Sequence, residues 1–265
     1  MKIIKIVFIS TAFIFMSNAT THAASPHWTH EEQSTWGAIQ DSTQTVVPLN
    51  YPYAECSIGT HQSPIDLAAA QIDNSKKLNG LEVWYDVDTA PVFNNTGHAV
   101  QVNTSSDYTG ELKIGEESYP LIQLHFHEPS EHVIGNTKFP AELHYVHVGA
   151  DGKLIVLAVA INVGEENTTF QTILDNTPHQ EGQNPSTGIQ INPASLLPPL
   201  HRNRPDFYTL AGSLTTPPCS EGVQWYLMSE AITVSAAQLE QLKGFYTNNA
   251  RSSQGLNGRA VLSTQ

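Results

Sequence analysis

Short apolar runs, several alternating with polar residues, recur from residue 81 to residue 228. Residues 81–85, 99–102, 111–114, 119–127, 142–148, 154–163 and 223–228 are rich in Val, Ile and Tyr. Turn signals separate them, among them Asn94-Asn95-Thr96-Gly97, Asp151-Gly152 and Gly164. Runs of this kind read as β-strands. Helical periodicity is sparse: 33–40 reads as a helical turn, and 166–174 and 236–245 read as helices, the latter with Ser235 as N-cap. Residues 25–65 mix Pro, Gly, aromatic and polar positions and read as irregular structure lying over a core. No repeat, heptad or long Gly/Ser/Pro linker divides the 265 residues, of which 40% are hydrophobic. The pattern predicts one strand-dominated domain with a few peripheral helices.

The first residues read differently. Lys2 and Lys5 precede an apolar stretch, 6–16, interrupted by Ser10 and Thr11, then polar Ser17-Asn18 and small residues up to Ala23-Ala24. This is the anatomy of a secretory signal peptide, cleaved after Ala23 or Ala24. The alternative is an uncleaved anchor, for which the apolar core is too short. The expected division is therefore a leader, 1–23, and a domain, 24–265, in the periplasm or secreted, with no other candidate membrane span.

The formal net charge is −13, and losing Lys2 and Lys5 makes it −15. Such a surface repels nucleic acid and anionic membranes. The two cysteines, Cys56 and Cys219, survive leader removal. An even count in an exported chain suggests one disulfide, two buried thiols being the alternative.

The chemistry concentrates in His125-Phe126-His127 and Glu142-Leu143-His144. Residues two apart on a strand share a face. His125 and His127 then look the same way, and a chain reversal through 128–140 brings His144 onto the same pocket. Three imidazoles converging with an open fourth position make the pattern of catalytic zinc. Gln123 and Glu142 each precede a histidine by two and are placed to fix imidazole tautomers, though spacing does not say which ring each reaches. With 12 His in the chain, no single one is informative. His147, three after His144, faces the other way and reads as structural. His132 reads as structural too, hydrogen-bonding a carboxylate.

Gly212-Ser213-Leu214-Thr215-Thr216-Pro217-Pro218-Cys219 is by itself a loop. Together with His125-Phe126-His127, Ser130-Glu131-His132, Glu142-Leu143-His144-Tyr145-Val146-His147, Gln62-Ser63-Pro64-Ile65, Asn95-Thr96-Gly97-His98 and Asn249-Ala250-Arg251, it strongly resembles the α-class carbonic anhydrases. The matches run from about Cys56 to Arg259.

The resemblance implies a mainly β fold around a large, mostly antiparallel twisted sheet. It implies zinc-dependent interconversion of carbon dioxide and bicarbonate, with zinc on His125, His127 and His144 and Gln123 and Glu142 behind them. Hydroxide held at the zinc would attack carbon. Thr215 would accept a hydrogen bond from that hydroxide and donate to Glu131, and His98 would carry the proton away. Val146, Val156, Leu214, Val223 and Trp225 would form the apolar wall for carbon dioxide, with the Thr216 N–H holding an oxygen. Cys56 and Cys219 match the disulfide of secreted bacterial members, which also favours a homodimer.

One departure stands out: His30 occupies the place where the family usually has a Tyr that orders active-site water. His30 would do the same, serve as a second shuttle, or point away. Two other readings compete. A non-catalytic binding module of this family would lack metal ligands that are all present here. A zinc esterase or other hydrolase is the second, and a metalloprotease would show a His-Glu-x-x-His helix that the chain lacks.

Overall fold

The computed structural model describes residues 25–74, 78, 80–200 and 202–264. The expected leader lies outside them. In chain order the strands are β1 (Ile72–Asp73), β2 (Leu81–Trp84), β3 (Val92–Asn95), β4 (Val100–Asn103), β5 (Glu111–Ile114), β6 (Glu117–His127), β7 (Val133–Ile134), β8 (Thr137–Lys138), β9 (Ala141–Val148), β10 (Leu154–Val163), β11 (Gly182–Pro185), β12 (Phe207–Ser213), β13 (Glu221–Met228), β14 (Ile232–Val234) and β15 (Val261–Ser263). The helices are α1 (Glu55–Ile58), α2 (Thr168–Asn176) and α3 (Ala236–Lys243), with 3-10 turns at His30–Ala38, Leu67–Ala69 and Pro193–Leu196.

One large sheet runs in the order β1-β15-β12-β13-β10-β9-β6-β4-β3-β11. Most of its pairings are antiparallel, as expected, but β10 runs parallel to both β13 and β14, and β1 parallel to β15, so the sheet is mixed. β10 is central and buried along most of its length on both faces. This is the usual setting for a Val/Ile/Ala run without polar alternation.

Alternation sorts the apolar residues onto two faces. Leu124, Phe126, Leu143, Tyr145, Leu157 and Val159 join the larger core, which α2 and α3 cover with Phe170, Ile173, Leu239 and Leu242. Each such side chain contributes about 1.5–3 kcal/mol by leaving water. Val146, Val156, Ala158, Val223, Trp225 and Leu227 form a smaller cluster on the other face with Ile65 and Leu67. The candidate site lies on that second face.

The helices expected at 166–174 and 236–245 appear as α2 and α3. Asn167 caps α2 by accepting from the Phe170 N–H at 3.0 Å, which sets its start past Glu166. Ser235 caps α3 through a reciprocal exchange with Gln238. The expected turn at 33–40 is the 3-10 segment His30–Ala38. β12 lies outside the expected strands, and its last two residues, Gly212 and Ser213, fall in the stretch that by itself reads as a loop with two prolines. That glycine is a packing requirement: a Cβ there would come within 2.2 Å of Ser63 Oγ and 2.8 Å of the Trp225 ring.

Candidate metal centre

The register of β6 against β9 builds the site. His125 pairs with His144, His127 with Glu142, and Gln123 with Val146, with an irregularity between Leu121 and Gln123. Cross-strand partners share a face, so Gln123, His125, His127, Glu142, His144 and Val146 all point to the side of the smaller cluster. His147 points to the other side, buried, with its Nε2 2.6 Å from the Tyr85 hydroxyl and its Nδ1 3.2 Å from the Ile155 carbonyl. The Tyr85 hydroxyl donates to Nε2, and Nδ1–H donates to the carbonyl.

Each of the three converging imidazoles has one nitrogen already committed. His125 Nδ1 lies 2.8 Å from Gln123 Oε1, His127 Nδ1 2.9 Å from the Asn249 carbonyl, and His144 Nε2 2.6 Å from Glu142 Oε1. All three partners are acceptors, so these nitrogens carry the protons. The remaining atoms, His125 Nε2, His127 Nε2 and His144 Nδ1, are therefore lone pairs. One ring nitrogen from each of the three rings lies within 4.8 Å of the others. His144 Nδ1 and His125 Nε2 are 3.3 Å apart, and His127 Nε2 is buried with no hydrogen-bond partner. Lone pairs turned on one another repel unless a cation lies among them, so the donor set fits a metal ion with an affinity for imidazole. Burial, followed by the neighbouring imidazoles, pushes His125 well below its ordinary value, and burial lowers His144. Both effects favour the neutral, ligating form.

Glu142 is the hub behind these rings. Its Oε2 accepts from the N–H groups of Glu131 at 3.0 Å and His132 at 2.8 Å, and its Oε1 from His132 Nδ1 at 2.7 Å as well as from His144. Burial alone would raise its carboxyl, but the His132 ring and these hydrogen bonds hold it well below the usual carboxylate range. His132, Glu142 and His144 also cluster closely enough to resemble a second metal set. Their hydrogen bonds to one another already account for that geometry.

Glu131 is fully buried, and its Oε1 accepts from the Arg251 N–H at 2.8 Å. Its Oε2 lies 3.4 Å from His127 Nε2 and has no hydrogen-bond partner. The contact expected from the Thr215 hydroxyl is thus not made in this geometry, although Thr215 is buried and lines the same cavity. The loop that carries Thr215 is tied down by the Cys56–Cys219 disulfide, by the Leu214 N–H to Ser220 carbonyl bond at 3.0 Å, and by the Trp225 Nε1–H to Ser213 carbonyl bond at 3.0 Å.

The three imidazoles and Thr215 line a cavity of about 260 Å³. One wall is apolar, from Val146, Val156, Leu214 and Trp225; the other is polar, from His30, Thr96, Gln101 and Gln123, and Thr216 also reaches it. Val223 does not line it. It shares the Trp225 face of β13 but sits farther from the imidazoles, packed in the smaller cluster.

His98 stands at the mouth, partly buried, on a turn closed by Thr96 Oγ1, which accepts from the N–H groups of His98 at 3.2 Å and Ala99 at 2.9 Å. Gly97 takes the φ of +78° that the turn requires. The His98 ring stacks flat on Trp28 at 3.8 Å. Burial, then His27, lowers His98, and Glu181 opposes them. His30 points into the cavity, edge-on to Trp28 at 5.2 Å, and its Nε2 is buried with no partner. Burial, then His127, pushes it down to about 4.

Trp28, Gln101 and Asn249 belong to this site yet were not singled out as functional in the sequence. Gln101 is discoverable only from register, as the partner of His125 on β4. Asn249 offers only its place in the Asn249-Ala250-Arg251 match.

The comparisons with known proteins agree on one family. Residues 47–265 match the model of the eukaryotic-type carbonic anhydrases. A carbonic anhydrase from Nostoc sp. is 38% identical over 216 residues, covering 81% of this chain and 80% of that protein. One from Pectobacterium atrosepticum is 34% identical over 242 residues, covering 90% and 91%. The structure of the α-carbonic anhydrase from Thermovibrio ammonificans, solved with the inhibitor sulfanilamide, superposes with a TM-score of 0.74 at 34% identity, covering 87% of this chain and 94% of that one.

Proposed function

The chain belongs to the eukaryotic-type carbonic anhydrase family and catalyses the reversible hydration of carbon dioxide to bicarbonate and a proton, and we propose that it does so at a zinc ion held by His125, His127 and His144. The observation that carries this reading is the set of three lone-pair nitrogens turned on one another, each tautomer fixed from behind. Bound there, zinc would supply the Lewis acidity that makes hydroxide available from water near neutral pH.

The chain's own residues do the rest. Val146, Val156, Leu214 and Trp225, with Val223 behind, desolvate carbon dioxide, which has no proton to donate. Turned toward Glu131, the Thr215 hydroxyl would donate to Oε2, the carboxylate oxygen that has no other hydrogen-bond partner. It then has only lone pairs to offer the attacking oxygen, so it orients one that still carries a proton. The Thr216 N–H holds an oxygen of substrate or product. The released proton passes through water to His98, an imidazole whose ordinary value lies near neutrality and which burial, then His27, lowers. His30, held at about 4, stays neutral, which suits it to orienting solvent rather than carrying protons.

We further assign 1–23 as a cleaved leader and 24–265 as the domain, periplasmic or secreted and favouring a homodimer. The Cys56–Cys219 bond is consistent with an oxidising compartment. Among the described residues no helix is long and apolar enough to cross a membrane.

Stopped-flow hydration of carbon dioxide tests the reading. Activity should vanish on complete chelation and return with zinc; turnover that survives metal removal refutes it. His98→Ala should lower kcat about tenfold or more in weak buffer, with imidazole restoring it.

A further inference from the structure

Asn249 uses every polar group it has. Its backbone carbonyl accepts from the metal-site ring at His127 Nδ1, 2.9 Å away. Its Nδ2 donates to the Phe126 carbonyl at 3.1 Å and to the His98 carbonyl at 2.9 Å. Its Oδ1 accepts from the Glu128 N–H at 2.7 Å, and its own N–H donates to the Glu128 carbonyl at 3.1 Å. The residue is 2% exposed. It therefore clasps the end of β6, where His127 lies, and with the same amide nitrogen grips the backbone of the turn that presents His98. The turn is also closed through Thr96 and Asn95, and Asn95 Nδ2 ties its first residue to the Pro178 carbonyl at 3.0 Å; Asn249 is what grips it at His98.

We propose that Asn249 is a positioning residue for proton transfer, its side-chain amide holding the His98 turn at a fixed offset from the imidazole cluster. The inference rests on the reading of His98 as the shuttle. Transfer through bridging water depends on the span between donor and acceptor, and a displacement of about 1 Å in a reacting arrangement costs up to about a hundredfold. The contact to His127 comes from the Asn249 backbone and the contact to His98 from its side chain. Replacing the side chain leaves the backbone contact to His127 in place, while the Nδ2 bonds to the His98 and Phe126 carbonyls go together.

Asn249→Asp is isosteric and keeps the acceptor for Glu128 N–H. It sets a carboxylate oxygen against the His98 and Phe126 carbonyls. Asn249→Ser drops the grip without adding charge and serves if the first variant does not fold. Both are assayed as zinc-loaded protein, alone and in a His98→Ala background. The expected result in weak buffer is a kcat about tenfold lower, with kcat/KM within about twofold of the parent and imidazole restoring kcat. In the His98→Ala background no further loss should appear, since the two act as one unit. Amide hydrogen exchange at 97–99 should quicken about tenfold in the single variants, a readout independent of turnover.

Parent-like exchange, parent-like kcat, or an equal fall of kcat and kcat/KM that imidazole does not relieve would overturn the inference. So would a further loss in the His98→Ala background. If His98→Ala alone leaves weak-buffer kcat intact, the shuttle reading itself fails, and this inference with it.

Discussion

Glu142→Gln takes one acceptor oxygen from a buried group that serves four donors. Oε2 receives two backbone N–H groups, from Glu131 at 3.0 Å and His132 at 2.8 Å; Oε1 receives His132 Nδ1 at 2.7 Å and His144 Nε2 at 2.6 Å. An amide has one oxygen, so one pair of donors must meet an NH2. Backbone N–H groups cannot change tautomer, and each buried donor left unmatched costs about 1–3 kcal/mol. The amide oxygen therefore takes the backbone side, and its NH2 faces the imidazoles. His144 answers by moving its proton from Nε2 to Nδ1, the atom 3.3 Å from His125 Nε2. That nitrogen is then no longer a lone pair, and one of the three metal-facing donors is lost.

The expected outcome is a zinc affinity about 10–100-fold lower. Zinc-free stability should fall by about 2–4 kcal/mol from the weakened charge-assisted bonds. Zinc release into a chromogenic chelator reads the first effect, and urea unfolding of the zinc-free protein reads the second. A variant that loses stability but releases zinc at the parent rate would refute the tautomer argument. Parent-like values for both would show that Glu142 is not the hub described.

Removing the Cys56–Cys219 bond with paired Ser substitutions frees a loop of 163 residues' separation. The chain-entropy model puts the cost at about 5 kcal/mol, read as a lowered urea midpoint. An unchanged midpoint would show that the bond contributes nothing. The buried ring of His147 is pushed down to about 3, mainly by burial. The unfolded chain takes up that proton near 6.5 and the folded one only near 3, so stability falls as pH drops through that window. In zinc-free protein, His147→Gln should lose about 2–3 kcal/mol less than the parent between pH 7 and about pH 4.5. Equal losses would contradict the assignment. Val156→Phe fills the apolar wall of a cavity of about 260 Å³. It should lower kcat/KM about a hundredfold with zinc content unchanged, and a parent-like value would remove that wall from substrate binding.

What could be read in the chain beforehand follows from periodicity. The alternation in 119–127 and 142–148 was enough to put His125, His127 and His144 on one face and His147 on the other, because the strand period leaves no other choice. It did not say that Gln123 serves His125, or that Glu142 serves His144 and His132 together, since that depends on ring orientation and cross-strand register. The parallel pairing of β10 with β13 was invisible, because a buried run of Val, Ile and Ala looks the same in either direction. β12 runs straight into a loop with two prolines, and the reason for its Gly212 lies in Ser63, distant in sequence. Asn249 shows in the sequence only through the Asn249-Ala250-Arg251 match, and Trp28 carries no signal of its own. Their roles come from contacts with His98, which lies 151 residues before Asn249.

The central claim is that three imidazoles hold one zinc ion and leave it open to solvent. Anomalous diffraction at the zinc edge from crystals of the purified protein addresses it directly. The expected result is a single peak bound to His125 Nε2, His127 Nε2 and His144 Nδ1, with no fourth protein ligand. A peak elsewhere, a missing imidazole, or Glu131 Oε2 occupying the remaining position would contradict it.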